Sequence, residues 1–275
     1  MTTSAADKEF LFSRQDFDEV RRILYEKTGI RLAESKDSMV YSRLARRLRQ
    51  LKIVSFAAYL SYLKTTPAEE QSFVNSLTTN LTSFFREAHH FPILRQYLER
   101  HPGRKRIWCA ASSTGEEPYS IAMTVAETFG SFSTGVDIIA SDIDSTVLEK
   151  ADQGIYALSS IEALSQVQRK QFFLKGKGSN SGKVKVVPEL RDMVTFKQLN
   201  LTHSTWDIEP TIDIIFCRNV MIYFDKSTQL RILAKMISLM PANGLYVAGH
   251  SETFANAANL VTPLGKTIYR PNKNG

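Results

Sequence analysis

The sequence predicts an α/β protein in two parts: a small all-helical N-terminal domain, then a mostly parallel sheet that carries a small antiparallel β insertion. Three observations support this. Through residues 1–88, apolar residues recur at helical spacing, with repeated cap signals and no alternation of period two. From Lys105 onward, short apolar runs alternate with helical segments, which is how buried parallel strands read. Between Asp142 and Val194 lie about 50 residues, where a crossover requires roughly a dozen, so something extra is inserted there.

Ser13 and Asp16 form a capping-box pattern ahead of Phe17, Val20 and Leu24, and Gly29 is placed to stop that helix. A second helix is expected from Lys36 to Leu51. Ser55 caps a third with Phe56, Tyr59, Leu60 and Leu63 inward; Thr66, Pro67 and Glu69 supply a cap, a first-turn proline and a box for a fourth. Residues 89–103 read as a linker and 104–275 as the second domain. Its strands are Ile107–Ala110, Ile138–Ala140, Val194–Leu199, Ile212–Cys217 and Leu245–Ala248. Runs near Val261 and at Thr267–Arg270, across Gly265, read as an antiparallel finish. The insertion centres on residues 172–194, where Gly176, Gly178 and Gly182 adjoin alternating Lys183, Val184, Lys185 and Val186, a small exposed hairpin.

Composition narrows the function classes. The 275 residues are 43% hydrophobic and carry 35 basic against 28 acidic side chains, a net +7, which is ordinary for a soluble globular chain. No apolar run reaches the roughly 18 residues of a membrane helix, and the opening MTTSAADKEF lacks the pattern of a secretory signal, so the cytoplasm is the expected location. Two cysteines, Cys109 and Cys217, are too few for a disulfide scaffold or a thiolate zinc site; no metal is expected, and each reads as a small buried residue.

In an open parallel sheet, ligands bind beyond the carboxyl ends of the strands. After the first strand comes SSTGEEPYS, where Gly115 permits a tight turn and Pro118 suits the first helical turn. Glu116 and Glu117 would repel a pyrophosphate, which argues against dinucleotides and fits a ligand bearing a cation, such as S-adenosylmethionine; first-turn acids favoured by the helix dipole are the plainer alternative. Asp142, ending the second strand, can accept the hydroxyls of a ribose, although Asp144 close by equally suits a helix cap. Asn200 ends the third strand, and Cys217, Arg218 and Asn219 end the fourth. Polar groups at every strand end read better as an adenosylmethionine site than as a dinucleotide site. No Asn-Pro-Pro-Tyr or Asp-Pro-Pro-Tyr run is present, and neither cysteine follows a proline, so methylation of nucleic acid loses ground.

Five segments, TTNLTSFFRE at 78–87, WCAASSTGEEPYSIA at 108–122, ASDID at 140–144, FCRNVMIYFD at 216–225 and GHSETF at 249–254, together resemble the chemotaxis receptor methyltransferase family CheR over nearly the whole chain. The resemblance implies a Rossmann-like, class I S-adenosylmethionine-dependent methyltransferase domain, acting on glutamate side chains of methyl-accepting chemoreceptors to give methyl esters. By motif it implies a cofactor site of Asn80, Thr82, Arg86, Glu117, Asp142, Asn200, Leu201, Cys217 and Arg218, with Arg86 and Tyr223 as catalytic-site residues. Arg86 suits a carboxylate, either the cofactor's or the acceptor's. In SRLARRLRQLK, Leu44, Leu48 and Leu51 form one helical face, with Arg43, Arg46, Arg47, Arg49 and Lys52 around the rest. A solvated face and phosphate contact are two readings; the resemblance favours a third, contact with the acidic methylation helices of the receptor. The hairpin resembles the family's β-subdomain, which in some members captures a receptor's C-terminal peptide by adding a strand. No nucleic acid is expected as partner, and the membrane only through the receptor. An RNA methyltransferase and a non-catalytic receptor-binding module are the competing classes.

Overall fold

The computed structural model describes residues 9–273. The chain divides into two compact units: a helical one running through Thr79, with Tyr223–Asp225 added to it, and a sheet-centred one made of Asn80–Ile222 and the chain from Lys226 onward.

The helical unit holds α1 (Arg14–Thr28), α2 (Asp37–Leu51), α3 (Phe56–Thr65) and α4 (Pro67–Leu77). The capping box at Ser13 and Asp16 is formed, and Gly29 closes α1 in the left-handed region at φ 71°. Ser55 caps α3 through the amide of Ala58. Phe17, Val20, Leu24, Val40, Leu44, Leu48, Phe56, Tyr59 and Phe73 are buried and form its core. One cap departs from expectation. Thr66 makes no side-chain cap bond at α4: the Glu69 amide goes to the Thr66 carbonyl at 2.9 Å, and the Glu69 side chain turns inward instead of back along the chain. Its carboxylate, 3% exposed, takes a bond from Arg47 Nε at 2.7 Å and from the Tyr59 hydroxyl at 2.9 Å. A buried carboxylate requires such partners.

The second unit begins with α5 (His90–Arg100), so residues 89–103, expected as a linker, are largely helical. Pro92 and the Pro102–Gly103 pair give the segment its linker look, yet Phe91, Leu94, Tyr97 and Leu98 recur at helical spacing and are buried. There follow β1 (Lys105–Cys109), α6 (Glu116–Phe129), β2 (Val136–Asp142), α7 (Ser145–Gln153), β3 (Ile155–Ala157), α8 (Gln166–Phe172), β4 (Phe173–Lys175), β5 (Lys183–Val186), α9 (Pro188–Arg191), β6 (Val194–Gln198), β7 (Ile214–Cys217), α10 (Lys226–Ser238), β8 (Leu245–Ala248), β9 (Val261–Gly265) and β10 (Ile268–Pro271).

The main sheet has the order β6-β2-β1-β7-β8-β10-β9, parallel from β6 to β8, with β10 antiparallel to both β8 and β9. This is the doubly wound class the alternating pattern predicts. Strand order reverses between β2, β1 and β7, which puts the ligand crevice at the carboxyl ends of those strands. The insertion is a separate three-stranded antiparallel sheet, β3-β5-β4. It therefore starts earlier than residue 172: β3, three residues long with Tyr156 as its one buried side chain, carries too little pattern to be read as a strand. Val184 and Val186 of β5 and Phe172 join the same core as Ile107, Tyr119, Met123 and Ile138, so the insertion is fastened to the domain that bears the site.

Candidate active site

The turn after β1 is built around Gly115, at φ 98°. A Cβ there would lie 2.7 Å from the Tyr156 hydroxyl and 2.9 Å from the Ala151 Cβ, so glycine is required for space as well as for backbone angle. The Tyr156 hydroxyl in turn donates to the Thr114 carbonyl at 2.7 Å, and Ser113, also left-handed at φ 48°, offers its amide to Asp142 at 2.8 Å. Asp142 is thus gripped on both oxygens: Oδ2 by Ser113, Oδ1 by the Asp144 amide at 3.0 Å. Burial raises its pKa against those amide bonds. Each oxygen keeps lone-pair capacity for the hydroxyls of a ribose. Asp144 proves to be the N-cap of α7, accepting from Thr146 and Val147, so both carboxylates of ASDID have distinct roles.

The segment 80–87 runs along these strand ends. At one end the Asn80 carbonyl accepts from Ser113 Oγ at 2.9 Å, and Asn80 Nδ2 donates to Asp144 at 2.8 Å. Thr82 is half-buried. Arg86 donates to the Leu81 carbonyl at 2.9 Å, while its own carbonyl accepts from Arg218. At the other end Glu87, in the left-handed region at φ 54°, meets Asn219 Nδ2 at 3.3 Å and His250 Nδ1 at 3.1 Å.

A charge cluster lies at the centre. The Arg218 side chain has no exposed surface; it stands 3.0 Å from Glu117 and 3.7 Å from Glu87. Glu117 also accepts from the Cys109 thiol at 3.3 Å. Burial raises the pKa of Glu117 while Arg218 opposes, whereas at Glu87 burial is outweighed by His250, Arg218 and Asn219, which hold it below the ordinary carboxylate range. Arg86 also acts on Glu117, and with Asp142 alongside, three carboxylates stand against two guanidiniums, which leaves the cluster acidic. Such a site suits a ligand with a sulfonium and an ammonium group and would repel a pyrophosphate. Glu87, His89 and His90 bring potential ligand atoms within 4.8 Å of one another, but Arg218 already pairs with that carboxylate.

The other expected residues sit as follows. Asn200 Oδ1 accepts from the amide and hydroxyl of Thr202, and Leu201 is buried beyond β6. Cys217 is fully buried and burial pushes its thiol pKa well up, so only its backbone can serve a ligand. The two cysteines are free although β1 and β7 are neighbours: Cys109 pairs in register with Phe216, which sends Cys217 to the opposite face of the sheet. Tyr223 groups with the helical unit, where its carbonyl accepts from the Arg31 amide at 2.8 Å. Of the arginines on α2, Arg43 donates to the carbonyls of Leu77 and Thr78, Arg47 pairs with Glu69, Arg49 meets Glu9 at 2.8 Å, and Arg46 is exposed. Local pattern does not single out Glu87 and Glu252, although each lies inside a quoted motif, and it marks Asn219 only as one of the polar groups that end the fourth strand. No helix among the described residues is long and apolar enough to cross a membrane.

Comparison with known proteins agrees with this geometry. Residues 80–270 match the family model "CheR methyltransferase, SAM binding domain", and residues 15–78 match "CheR methyltransferase, all-alpha domain". The chain is 55% identical over 269 residues to chemotaxis protein methyltransferase 2 of Pseudomonas aeruginosa, covering 96% of each chain. It is 48% identical over 260 residues to chemotaxis protein methyltransferase of Salmonella typhimurium (94% and 90% covered), and 46% identical over 260 residues to that of Escherichia coli (94% and 91% covered). The chain therefore belongs to the CheR methyltransferase family, an S-adenosylmethionine-dependent enzyme whose cofactor domain is the sheet-centred unit and whose all-α domain is the helical one.

Proposed function

We propose that the chain methylates glutamate side chains of methyl-accepting chemoreceptors on their cytoplasmic helices, giving methyl esters. The observation that carries this reading is the acidic cluster of Glu117, Glu87 and Arg218 beside an Asp142 held by two backbone amides, in a chain of this family. Asp142 takes the ribose, the carboxylates favour the cationic end of the cofactor, and Asn80, Thr82, Asn200, Leu201 and the Cys217 backbone complete the wall. Arg218 has no exposed surface and acts by holding Glu117 and the Arg86 carbonyl in place.

When bound, the cofactor supplies an electrophilic methyl group. The acceptor carboxylate is ionised near neutral pH and is already the nucleophile, so no general base is required. With the cofactor bound, the acceptor oxygen would take the methyl group while the cofactor's sulfur kept the electron pair of the broken S–CH3 bond, and no proton would have to move. The protein's task is orientation, worth on the order of 7–11 kcal/mol at best. Arg86 is suited to grip a carboxylate in a fork, and the Tyr223 hydroxyl to direct the attacking oxygen.

On α2, exposed Arg46, and Arg49 in exchange for its exposed pair with Glu9, are the cations offered to an acidic receptor helix, while Arg43 and Arg47 serve the fold. Each ester removes one negative charge from the partner, which favours substrate over product. The hairpin of β4 and β5 is the proposed seat of a receptor tail peptide.

The test is calorimetric titration with S-adenosylmethionine and S-adenosylhomocysteine on the wild type and Asp142→Ala, followed by a labelled-methyl assay on receptor-containing membranes. One site per chain, lost in the variant, and base-labile label on the receptor support the reading. Label that enters RNA, or none on the receptor, overturns it.

A further inference from the structure

A further buried carboxylate lies next to the site described above. Glu252, 5% exposed, follows β8 and receives three backbone amides: Gly249 at 2.7 Å and Asn219 at 3.0 Å on Oε2, and Met221 at 2.7 Å on Oε1. Two of those amides belong to the turn that follows β7, the turn that begins with Arg218. Asn219 adopts φ 58°, a left-handed conformation that asparagine tolerates better than most residues, and its side chain is tied to Glu87. From the far side Gly249 closes on the same residue: a Cβ there would lie 2.4 Å from Asn219 Nδ2 and 2.8 Å from its backbone nitrogen. The turn is therefore fixed by a carboxylate, a side-chain bond and a close backbone approach.

We propose that Glu252 is a positioning residue of the cofactor site, acting through the Asn219 turn on Arg218 and so on Glu117; this rests on the reading of Arg218 and Glu117 as part of that site. A carboxylate can take all three amides because both its oxygens accept. An amide in its place presents one oxygen and an NH2 group, which faces a backbone N–H and pushes the turn away. Arg218, bonded to the Arg86 carbonyl and 3.0 Å from Glu117, moves with the turn, and the two elements that frame the cofactor's charged end lose their common anchor.

The experiment is a double-mutant cycle on the full chain, read by calorimetric binding of S-adenosylhomocysteine and by steady-state methylation. Glu252→Gln is expected to weaken binding at least tenfold and to raise KM for S-adenosylmethionine with kcat changed less than threefold. Arg218→Lys keeps the charge but loses the fork, and is expected to weaken binding as well. Adding Glu252→Gln to Arg218→Lys is expected to cost less than threefold more. Gly249→Ala, which presses on Asn219 without changing any charge, is expected to reproduce the Glu252→Gln effect and gives the same reading if Glu252→Gln does not fold. Wild-type affinity in Glu252→Gln or Gly249→Ala, with Arg218→Lys weakened, overturns the positioning role. So do losses that multiply in the double variant. Wild-type affinity in Arg218→Lys instead overturns the reading of Arg218 on which the proposal rests.

Discussion

Replacing Arg47 and Arg46 separately distinguishes a fold-holding arginine from a partner-facing one next to it in sequence. Arg47 is 22% exposed and makes two bonds to Glu69, which is 3% exposed and has the Tyr59 hydroxyl as its further partner. Arg47→Ala leaves that carboxylate buried with a single neutral donor, and breaking a buried pair in this way costs about 3–5 kcal/mol. Arg47 keeps some solvent contact, so the low end, about 3 kcal/mol, applies. For a small helical domain each kcal/mol moves the midpoint by about 4–8 °C, so the unfolding midpoint should fall by about 10 °C or more. Arg46→Glu removes no described bond and should leave the midpoint where it is, while lowering kcat/KM for receptor several-fold at low salt and less at high salt, where screening shortens the reach of charge. Circular-dichroism melts and labelled-methyl assays on the two variants, with S-adenosylhomocysteine binding as a control, decide the matter. A wild-type melt for Arg47→Ala together with a receptor defect equal to that of Arg46→Glu would refute the assignment of Arg47 to the fold.

Three further outcomes are expected. His90 is 1% exposed and donates to the Lys266 carbonyl; burial and the nearby Arg218 lower its pKa from 6.5 to about 4. The unfolded chain then binds the proton first, so stability is full above pH 6.5 and falls by up to about 3 kcal/mol as pH drops toward 4; His90→Gln should flatten that slope in acid melts, and an unchanged slope counts against it. Tyr223→Phe should lower kcat about tenfold with cofactor affinity retained, as loss of one hydrogen bond in the transition state would; loss of cofactor binding instead removes the catalytic role. A peptide copying the tail of a cognate receptor should bind with the resonances of β4 and β5 shifted, and no binding at high peptide concentration would leave the hairpin structural.

What was legible and what was not divides along distance in sequence. Caps at Ser13 and Ser55, the strand runs and the acids after β1 and β2 are local patterns, and the structure has them where the pattern puts them. Pro92 near its start obscures the helix at His90–Arg100, and three-residue length obscures β3. The bonds that give the site its form join residues far apart: Glu252 to Asn219 across 33 positions, and Glu87 to Asn219 across 132. No periodicity records such pairs. Only topology does, since β7 and β8 are neighbours and deliver their turns to one place.

The arginines of α2 are the instructive intermediate case. At about 100° per residue, Val40, Leu44 and Leu48 span a narrow stripe; Arg47 and Arg43 lie roughly 60° and 100° to one side of Leu44, while Arg46 and Arg49 lie roughly 160° and 140° away. The wheel thus already separates cations at the border of the core from cations facing out. Border arginines lay their stems along apolar surface and bring the guanidinium within reach of neighbouring elements. In the structure that reach ends on Glu69 for Arg47 and on the C-terminal carbonyls of α4 for Arg43. A basic stripe counted as one patch overstates the charge offered to a partner, because the half nearest the core is already neutralised or bonded within the domain. Electrostatic steering of an acidic receptor helix therefore has to rest on the outer cations, on Arg46 first since Arg49 already meets Glu9 at the surface, which is why reversing Arg46 and reversing Arg47 should not give the same enzyme.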